Sequence, residues 1–223
     1  MAVLRNLRLM LAAGVAPKMI AERLEQGIAR ALPFRFVTAA RHAPKLEEAI
    51  EKAMLKGIAG LEVLPGVTGF VVDVSGSMNY RLAKKGETTR MDAAAGLAIL
   101  LREKAQEFTV ATFSDKCVVV PPRRGFALRD AIVNSQAHSA TYLKRALTAL
   151  QATRDWQEVD RLIVVTDEQS HDGILLAWTK KAYVINVAPY KSGISYGNGW
   201  THIDGWSERV LDYIAAIEGE NAE

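Results

Sequence analysis

The 223-residue sequence predicts an α/β fold in which a doubly wound, mostly parallel sheet follows a small all-α helical-repeat segment. Three observations support this prediction. The segment before residue 66 has no strand pattern, and its apolar residues recur at helical spacing. After that point, strand-length apolar runs alternate with helical stretches. The runs VVDV, LIVVT and YVINV are typical of central parallel strands covered on both faces.

The N-terminal segment is predicted to hold short helices joined by tight turns, as in stacked helical repeats. Leu4, Leu7 and Leu11 share one helical face, which indicates the first helix. Glycine and proline residues then break the chain at Gly14, Pro17, Pro33 and Pro44. The predicted helices span residues 2–13, 18–30, 34–42 and 45–58.

A linker rich in glycine and proline over residues 57–66 divides the chain into predicted domains 1–62 and 63–223. In the second domain, strands are predicted over residues 68–74, 108–113, 117–120, 162–166 and 183–187. Helices are predicted over residues 90–106, 126–134, 142–152, 174–180 and 208–218, with a glycine-rich loop over 192–199. We expect the helix over 90–106 to be amphipathic, with one buried side. Ligands of such sheets bind beyond the carboxyl ends of the strands.

Composition and charge exclude some kinds of protein and allow others. Apolar runs are no longer than a strand, and Arg5 and Arg8 interrupt the first of them, so we expect no membrane span and no signal peptide. The single cysteine, Cys117, excludes an internal disulfide and fits a cytoplasmic protein. Residues 1–62 hold ten Lys or Arg against six Glu. This excess allows a nucleic-acid contact, although a solvated helix surface is the simpler interpretation.

Oxygen-bearing side chains follow two of the predicted strands. An aspartate ends the strand over 68–74, and its loop reads D-x-S-x-S; a second aspartate follows the strand over 162–166. A threonine precedes the helix over 142–152. Because these segments end at the same rim of the sheet, we expect the five side chains to lie together. They are Asp73, Ser75, Ser77, Thr141 and Asp167.

Such a set of ligands predicts a divalent metal site. Mg²⁺, or Mn²⁺ in its place, prefers about six oxygen ligands, so five protein groups leave at least one position open. An open position would accept an anionic oxygen, such as a Glu or Asp side chain of a protein partner or a phosphate. We therefore expect a binding site for an acidic ligand.

A hydrolase is the enzyme alternative. The sequence around Ser75 lacks the G-x-S-x-G pattern, and no Walker-type loop occurs. His138 and His171 lie in loops near the predicted rim, where histidines are usually solvated. Metal-dependent hydrolysis also needs a general base, which the sequence does not identify. We therefore predict a protein that is not an enzyme.

Residues 67–219 resemble a von Willebrand factor A (vWA) domain. The residues DVSGS, with Thr141 and Asp167 further on, resemble its metal-ion-dependent adhesion site. The resemblance implies that these five residues bind Mg²⁺ or Mn²⁺, directly or through water. One departure is that Ser139 and Ala140 stand where the family often has two glycines.

Two N-terminal motifs, VLRNLRLMLAAGV and LPFRFVTAARHAP, resemble the end of the TROVE module of Ro ribonucleoprotein autoantigens and their bacterial relatives. This resemblance implies a Ro-like protein that binds small non-coding RNA, with Arg5, Arg8 and Arg35 as candidate contacts. A sequence of 223 residues lacks most of that family's helical ring. It could therefore be a fragment of a longer protein or a naturally shortened relative. A metal-dependent protein-interaction domain with no RNA role is the alternative.

Overall fold

A computed structural model describes residues 2–28, 31, 33–60, 63–84, 86–167, 169–188, 197–205 and 209–220. The strands are β1 (Leu64–Asp73), β2 (Ala105–Phe113), β3 (Cys117–Val120), β4 (Arg161–Thr166), β5 (Lys181–Asn186) and β6 (Thr201–Asp204). The helices before the sheet are α1 (Ala2–Ala12), α2 (Pro17–Glu25), α3 (Pro33–His42) and α4 (Glu47–Ile58). The later helices are α5 (Arg90–Lys104), α6 (Gly125–Val133), α7 (Leu143–Gln151), α8 (Arg154–Gln157) and α9 (Val210–Glu220). None of these helices combines the length and apolarity that a bilayer-spanning segment requires.

The predicted α/β fold is confirmed. The strands form one sheet in the order β3-β2-β1-β4-β5-β6. Only β3 runs antiparallel to its neighbour among these strands. The chain adds β2 and β3 on one side of β1, then crosses to add β4, β5 and β6 on the other. The strand order therefore reverses between β1 and β4. In doubly wound sheets, ligands bind at the carboxyl ends of the strands next to such a reversal.

Both faces of the sheet are covered, as the continuous apolar strands predict. In β1, Phe70 and Val72 pack in the cluster that includes the N-terminal helices, α5 and α6. Val71 faces the opposite way and packs with α7 and with Trp156. This alternation follows the two-residue period of a strand. Because both faces of the sheet are covered, every residue of β4 is buried.

The N-terminal helices pack directly on the sheet domain. Their apolar residues belong to the same hydrophobic cluster as α5 and one face of the sheet. Residues 90–101 of α5 are all buried, so the prediction of an amphipathic α5 with one buried side is wrong. The reason is that α5 lies between the sheet and α3, which leaves it no solvent-facing side. The division into domains 1–62 and 63–223 stays a prediction.

Several local predictions differ from the structure. The helix predicted over residues 174–180 is absent from that described segment, where Ala177 N donates to Asn198 O at 2.9 Å instead of to its own helix. Strand β6 and the short helix α8 were not predicted. The second helix ends at Glu25 rather than at residue 30, and Gly27 follows with a φ of 89°. The predicted loop over 192–199 falls largely outside the described residues.

Candidate metal centre

The two candidate carboxylates lie side by side at the point where the strand order reverses. Asp73 is the last residue of β1, and Asp167 directly follows β4. The strands are hydrogen-bonded neighbours, with Val72 opposite Val165, so both carboxylates project from the same rim. Both aspartates are fully buried.

The D-x-S-x-S loop turns tightly around Asp73. Ser75 N donates a 2.8 Å hydrogen bond to Asp73 Oδ1, which folds the loop back over the strand end. A 3₁₀ turn over Gly76–Asn79 follows, and it brings Ser77 Oγ within 3.2 Å of Ser75 Oγ. The structure therefore brings together one carboxylate and two hydroxyls, as the sequence predicted.

Thr141 lies in the neighbouring loop and is also buried. That loop contacts the D-x-S-x-S loop through Gly76 N, which lies 3.4 Å from Ser139 O. Ser114 Oγ fixes the loop by donating to Ala140 O at 2.8 Å. Ser139 and Ala140 occupy the positions at which vWA domains often have two glycines. Their loop nevertheless contacts the D-x-S-x-S loop.

Burial sets the electrostatics of Asp73. The pKa of its carboxyl group is raised to about 6, chiefly by removal from water and to a smaller extent by the neighbouring Asp167. Hydrogen bonds act in the opposite direction. Among them, Thr166 Oγ1 donates to Asp73 Oδ2 at 2.7 Å. Thr166 was not among the predicted site residues, although it is the last residue of the strand predicted over 162–166.

Arg90 is the second residue of the centre that the sequence did not indicate. Its side chain is only 3% exposed, and Nη1 donates to Asp167 Oδ2 at 2.6 Å. The same nitrogen lies 3.3 Å from Ser77 O. The start of α5 was predicted at this residue, but no sequence pattern places a helix-start arginine beside the distant Asp167.

The side chains fit a hard divalent cation in chemical type. Two carboxylates and three hydroxyls offer only oxygen ligands, which Mg²⁺ and Mn²⁺ prefer. Within the described part of the chain, no cluster of three or more His, Cys, Asp or Glu side chains could hold a metal ion. The hydroxyls would thus have to complete the ligand set, and Arg90 already neutralises one of the two carboxylates.

The two histidines of the hydrolase alternative bind backbone carbonyls. His138 Nε2 lies 2.8 Å from Val133 O, and His171 Nδ1 lies 3.1 Å from Thr141 O. The first contact ties His138 to the end of α6, and the second ties His171 to the loop that holds Thr141. Neither ring has a hydrogen bond to Ser75 or Ser77 among the described residues.

A basic cleft lies at the junction of α1, α3 and the loop before α5. Its volume is about 560 Å³, and its lining includes Arg5, Arg8 and Arg35, together with the loop residues Gly86, Glu87 and Thr88. Arg5 and Arg8 are exposed, and Arg35 is half-buried beside Phe34, with 5.3 Å between its guanidinium carbon and the ring centroid. The three arginines predicted as RNA contacts therefore share one surface.

Comparison with known proteins relates part of this chain to a described family. Residues 69–178 match the family described as the Ro60 vWA domain. The structure of the Ro (RSR) protein of Deinococcus radiodurans matches with a TM-score of 0.68 at 20% identity, over 96% of this chain and 51% of that one. This chain thus spans about half the length of that relative. No curated protein sequence matched.

Two further structures match over a shorter part. An aerotolerance-related membrane protein from Bacteroides fragilis matches at 17% identity and a TM-score of 0.47, over 70% of this chain and 98% of that one. The BatB protein from Bacteroides thetaiotaomicron matches at 14% identity and a TM-score of 0.48, over 71% of this chain and 100% of that one.

Proposed function

We propose that this chain, a Ro-like protein that contains a Ro60-type vWA domain, is a non-enzymatic binding module of an RNA-associated protein. In this proposal, the module binds an acidic ligand through a divalent cation. The supporting observation is the arrangement at the end of β1, where Asp73, Ser75 and Ser77 are linked by hydrogen bonds beside Asp167.

The chain's own residues would prepare the centre for the cation. Ser75 N and Thr166 Oγ1 donate hydrogen bonds to the two carboxylate oxygens of Asp73, and Arg90 donates one to Asp167. The hydroxyls of Ser75, Ser77 and Thr141 would add neutral oxygen ligands. When bound, the cation would supply a positive centre for an anionic oxygen of the partner. Mg²⁺ is the expected ion, and Mn²⁺ has the same preferences.

A thermal shift experiment tests this function. Mg²⁺ or Mn²⁺ should raise the melting temperature of the wild-type chain, because a ligand that binds only the folded state stabilises it. Asp73→Ala and Ser77→Ala should remove the shift. Asp155→Ala is the control, since Asp155 is exposed on α8 and should leave the shift intact. No metal-dependent shift in the wild type would contradict the metal site.

The basic cleft favours a second binding function, which is contact with RNA. Three arginines line one cavity of about 560 Å³, and Arg5 and Arg8 have no ion pair with a carboxylate of the described residues. Cations placed in this way can contact phosphates. Glu87 also lines the cleft, but its carboxylate lies 3.1 Å from Nε2 of His42.

Binding of a structured RNA at several salt concentrations separates this function from the alternative with no RNA role. Replacing Arg5, Arg8 and Arg35 by Ala should weaken binding and flatten the slope of log K against log salt by about 2. The matched control replaces the exposed residues Arg123, Arg154 and Lys180 by Ala. Equal losses in both triple variants would argue against the cleft. Absence of RNA binding by the wild type would favour a metal-dependent protein-interaction domain.

A further inference from the structure

A buried positive charge lies inside the candidate metal centre. The guanidinium group of Arg90 donates to Asp167 Oδ2 at 2.6 Å and lies 3.3 Å from the backbone oxygen of Ser77. Its carbon atom is 5.6 Å from the centroid of the Tyr80 ring. Asp167 is fully buried, so solvent screens this ion pair very little.

The backbone at Arg90 is held in place from several sides. Arg90 N donates to Tyr80 O at 3.0 Å. The residues on either side form a capping box, in which Asp92 N donates to Thr89 Oγ1 and Thr89 N donates to the Asp92 carboxylate. Arg41 of α3 pairs with the same carboxylate at 2.8 Å. The guanidinium group is therefore directed at Asp167 by a fixed helix start.

This arrangement changes the charge that a metal ion would meet. A buried carboxylate without a partner is costly, and two neighbouring carboxylates repel each other when both are ionised. Arg90 offsets both effects and reduces the formal charge of the pair from −2 to −1. A divalent cation approaching the same oxygen would be repelled by the guanidinium group.

We propose that Arg90 is a resident cation of this centre that keeps Asp167 in position without metal and competes with the divalent cation for Asp167 Oδ2. Arg90 thereby sets the metal affinity of the centre well below that of the same oxygen ligands alone. This inference rests on the proposed metal-binding function. Arg90 would act on the metal through the candidate ligand Asp167.

Direct titration with Mn²⁺, followed by the electron paramagnetic resonance signal of the free ion, tests the inference. Arg90→Gln removes the charge but keeps an amide that can donate to Asp167. We expect this variant to bind Mn²⁺ at least about tenfold more tightly than the wild type. Arg90→Lys keeps the charge and should bind within about threefold of the wild type.

Arg161→Gln is the matched control. Arg161 is also a fully buried arginine paired with a carboxylate, that of Glu218, but it lies at the opposite end of β4. The strand separates it from Thr166 by roughly 17 Å. Its replacement should therefore leave Mn²⁺ affinity within about twofold of the wild type, whatever it does to stability.

The outcomes distinguish the role of Arg90 from the existence of the metal site. If the wild type binds Mn²⁺ and Arg90→Gln binds with equal or lower affinity, the role of Arg90 is wrong and the metal site stands. If neither the wild type nor any variant binds, the metal-binding function is wrong as well. If Arg90→Gln unfolds without metal, its recovery of native circular dichroism in millimolar Mn²⁺ supports the inference. Failure to recover contradicts it.

Discussion

Gly96 of α5 lies against the backbone of Phe34 at the start of α3, so closely that a Cβ at position 96 would lie 2.5 Å from Phe34 N. This contact joins the N-terminal helices to the sheet domain. It also explains how α5 can be buried on all sides, since α3 covers the side that would otherwise face solvent. The helical segment and the candidate metal centre are therefore connected through one helix.

Gly96→Ala should destabilise the chain by about 1–3 kcal/mol, because the added methyl group must push two packed helices apart. Chemical denaturation gives the free energy of unfolding. Gly57→Ala is the control, since Gly57 lies in α4 and a Cβ at that position would meet open space. That change should be neutral or stabilise by up to about 1 kcal/mol. Equal effects of the two substitutions would show that the helices are not tightly packed at Gly96.

Thr166→Val should lower the free energy of unfolding at pH 7 by about 1–3 kcal/mol, because it removes the hydroxyl that donates to the buried Asp73 carboxylate. Valine has nearly the same shape, so little packing is lost. Thr112→Val is a matched control in β2, where the hydroxyl is hydrogen-bonded to Ser135 Oγ and to Gln136 Nε2 rather than to a carboxylate. The loss at Thr166 should exceed the loss at Thr112.

The raised pKa of Asp73 predicts a specific pH dependence in metal-free buffer. The unfolded pKa is 3.8 and the folded pKa is about 6. Between these values the folded state holds a proton that the unfolded state has released. The contribution of Asp73 to stability is therefore complete below pH 3.8 and is lost as the pH rises through about 6.

Asp73→Asn removes this titration. Relative to the wild type, the variant should gain about 2.4 kcal/mol of unfolding free energy between pH 4 and pH 7. Urea denaturation with a chelator present measures the difference at each pH. A difference that stays constant over this range would show that the folded and unfolded states share one pKa at Asp73.

Cys117 should react slowly with thiol reagents in the folded chain. Burial raises the pKa of its thiol to about 11, so very little thiolate is present near neutral pH. The rate of labelling by a chromogenic disulfide at pH 7.5 should be far lower than in denaturant. Similar rates in the two conditions would contradict the partial burial of Cys117.

The sequence was sufficient for the first five strands of the described sheet and for the position of the candidate oxygen ligands, whose binding of a metal stays a prediction. Continuous apolar runs identify β1, β4 and β5 because parallel strands covered on both faces need them. The D-x-S-x-S motif identifies Asp73, Ser75 and Ser77 because it is local. That the motif lies close to Asp167 followed from the rule that ligands bind at the carboxyl ends of the strands.

What the sequence did not indicate depends on contacts between distant segments. Arg90 looks like an ordinary helix-start residue, and only the fold places it beside Asp167. Burial of α5 on every side depends on α3, which packs against it at Gly96. Residues 174–180 have helical composition, but their backbone bonds the loop at Asn198 instead.

The most direct measurement is an anomalous difference map from a crystal grown with Mn²⁺. The proposed site predicts a peak at the carboxyl end of β1, about 2.2 Å from Ser75 Oγ and Ser77 Oγ. An additional ligand from solvent or a neighbouring acidic group should complete the coordination. A crystal in which this position has no peak, or in which Mn²⁺ binds elsewhere on the chain, would contradict the proposed metal centre.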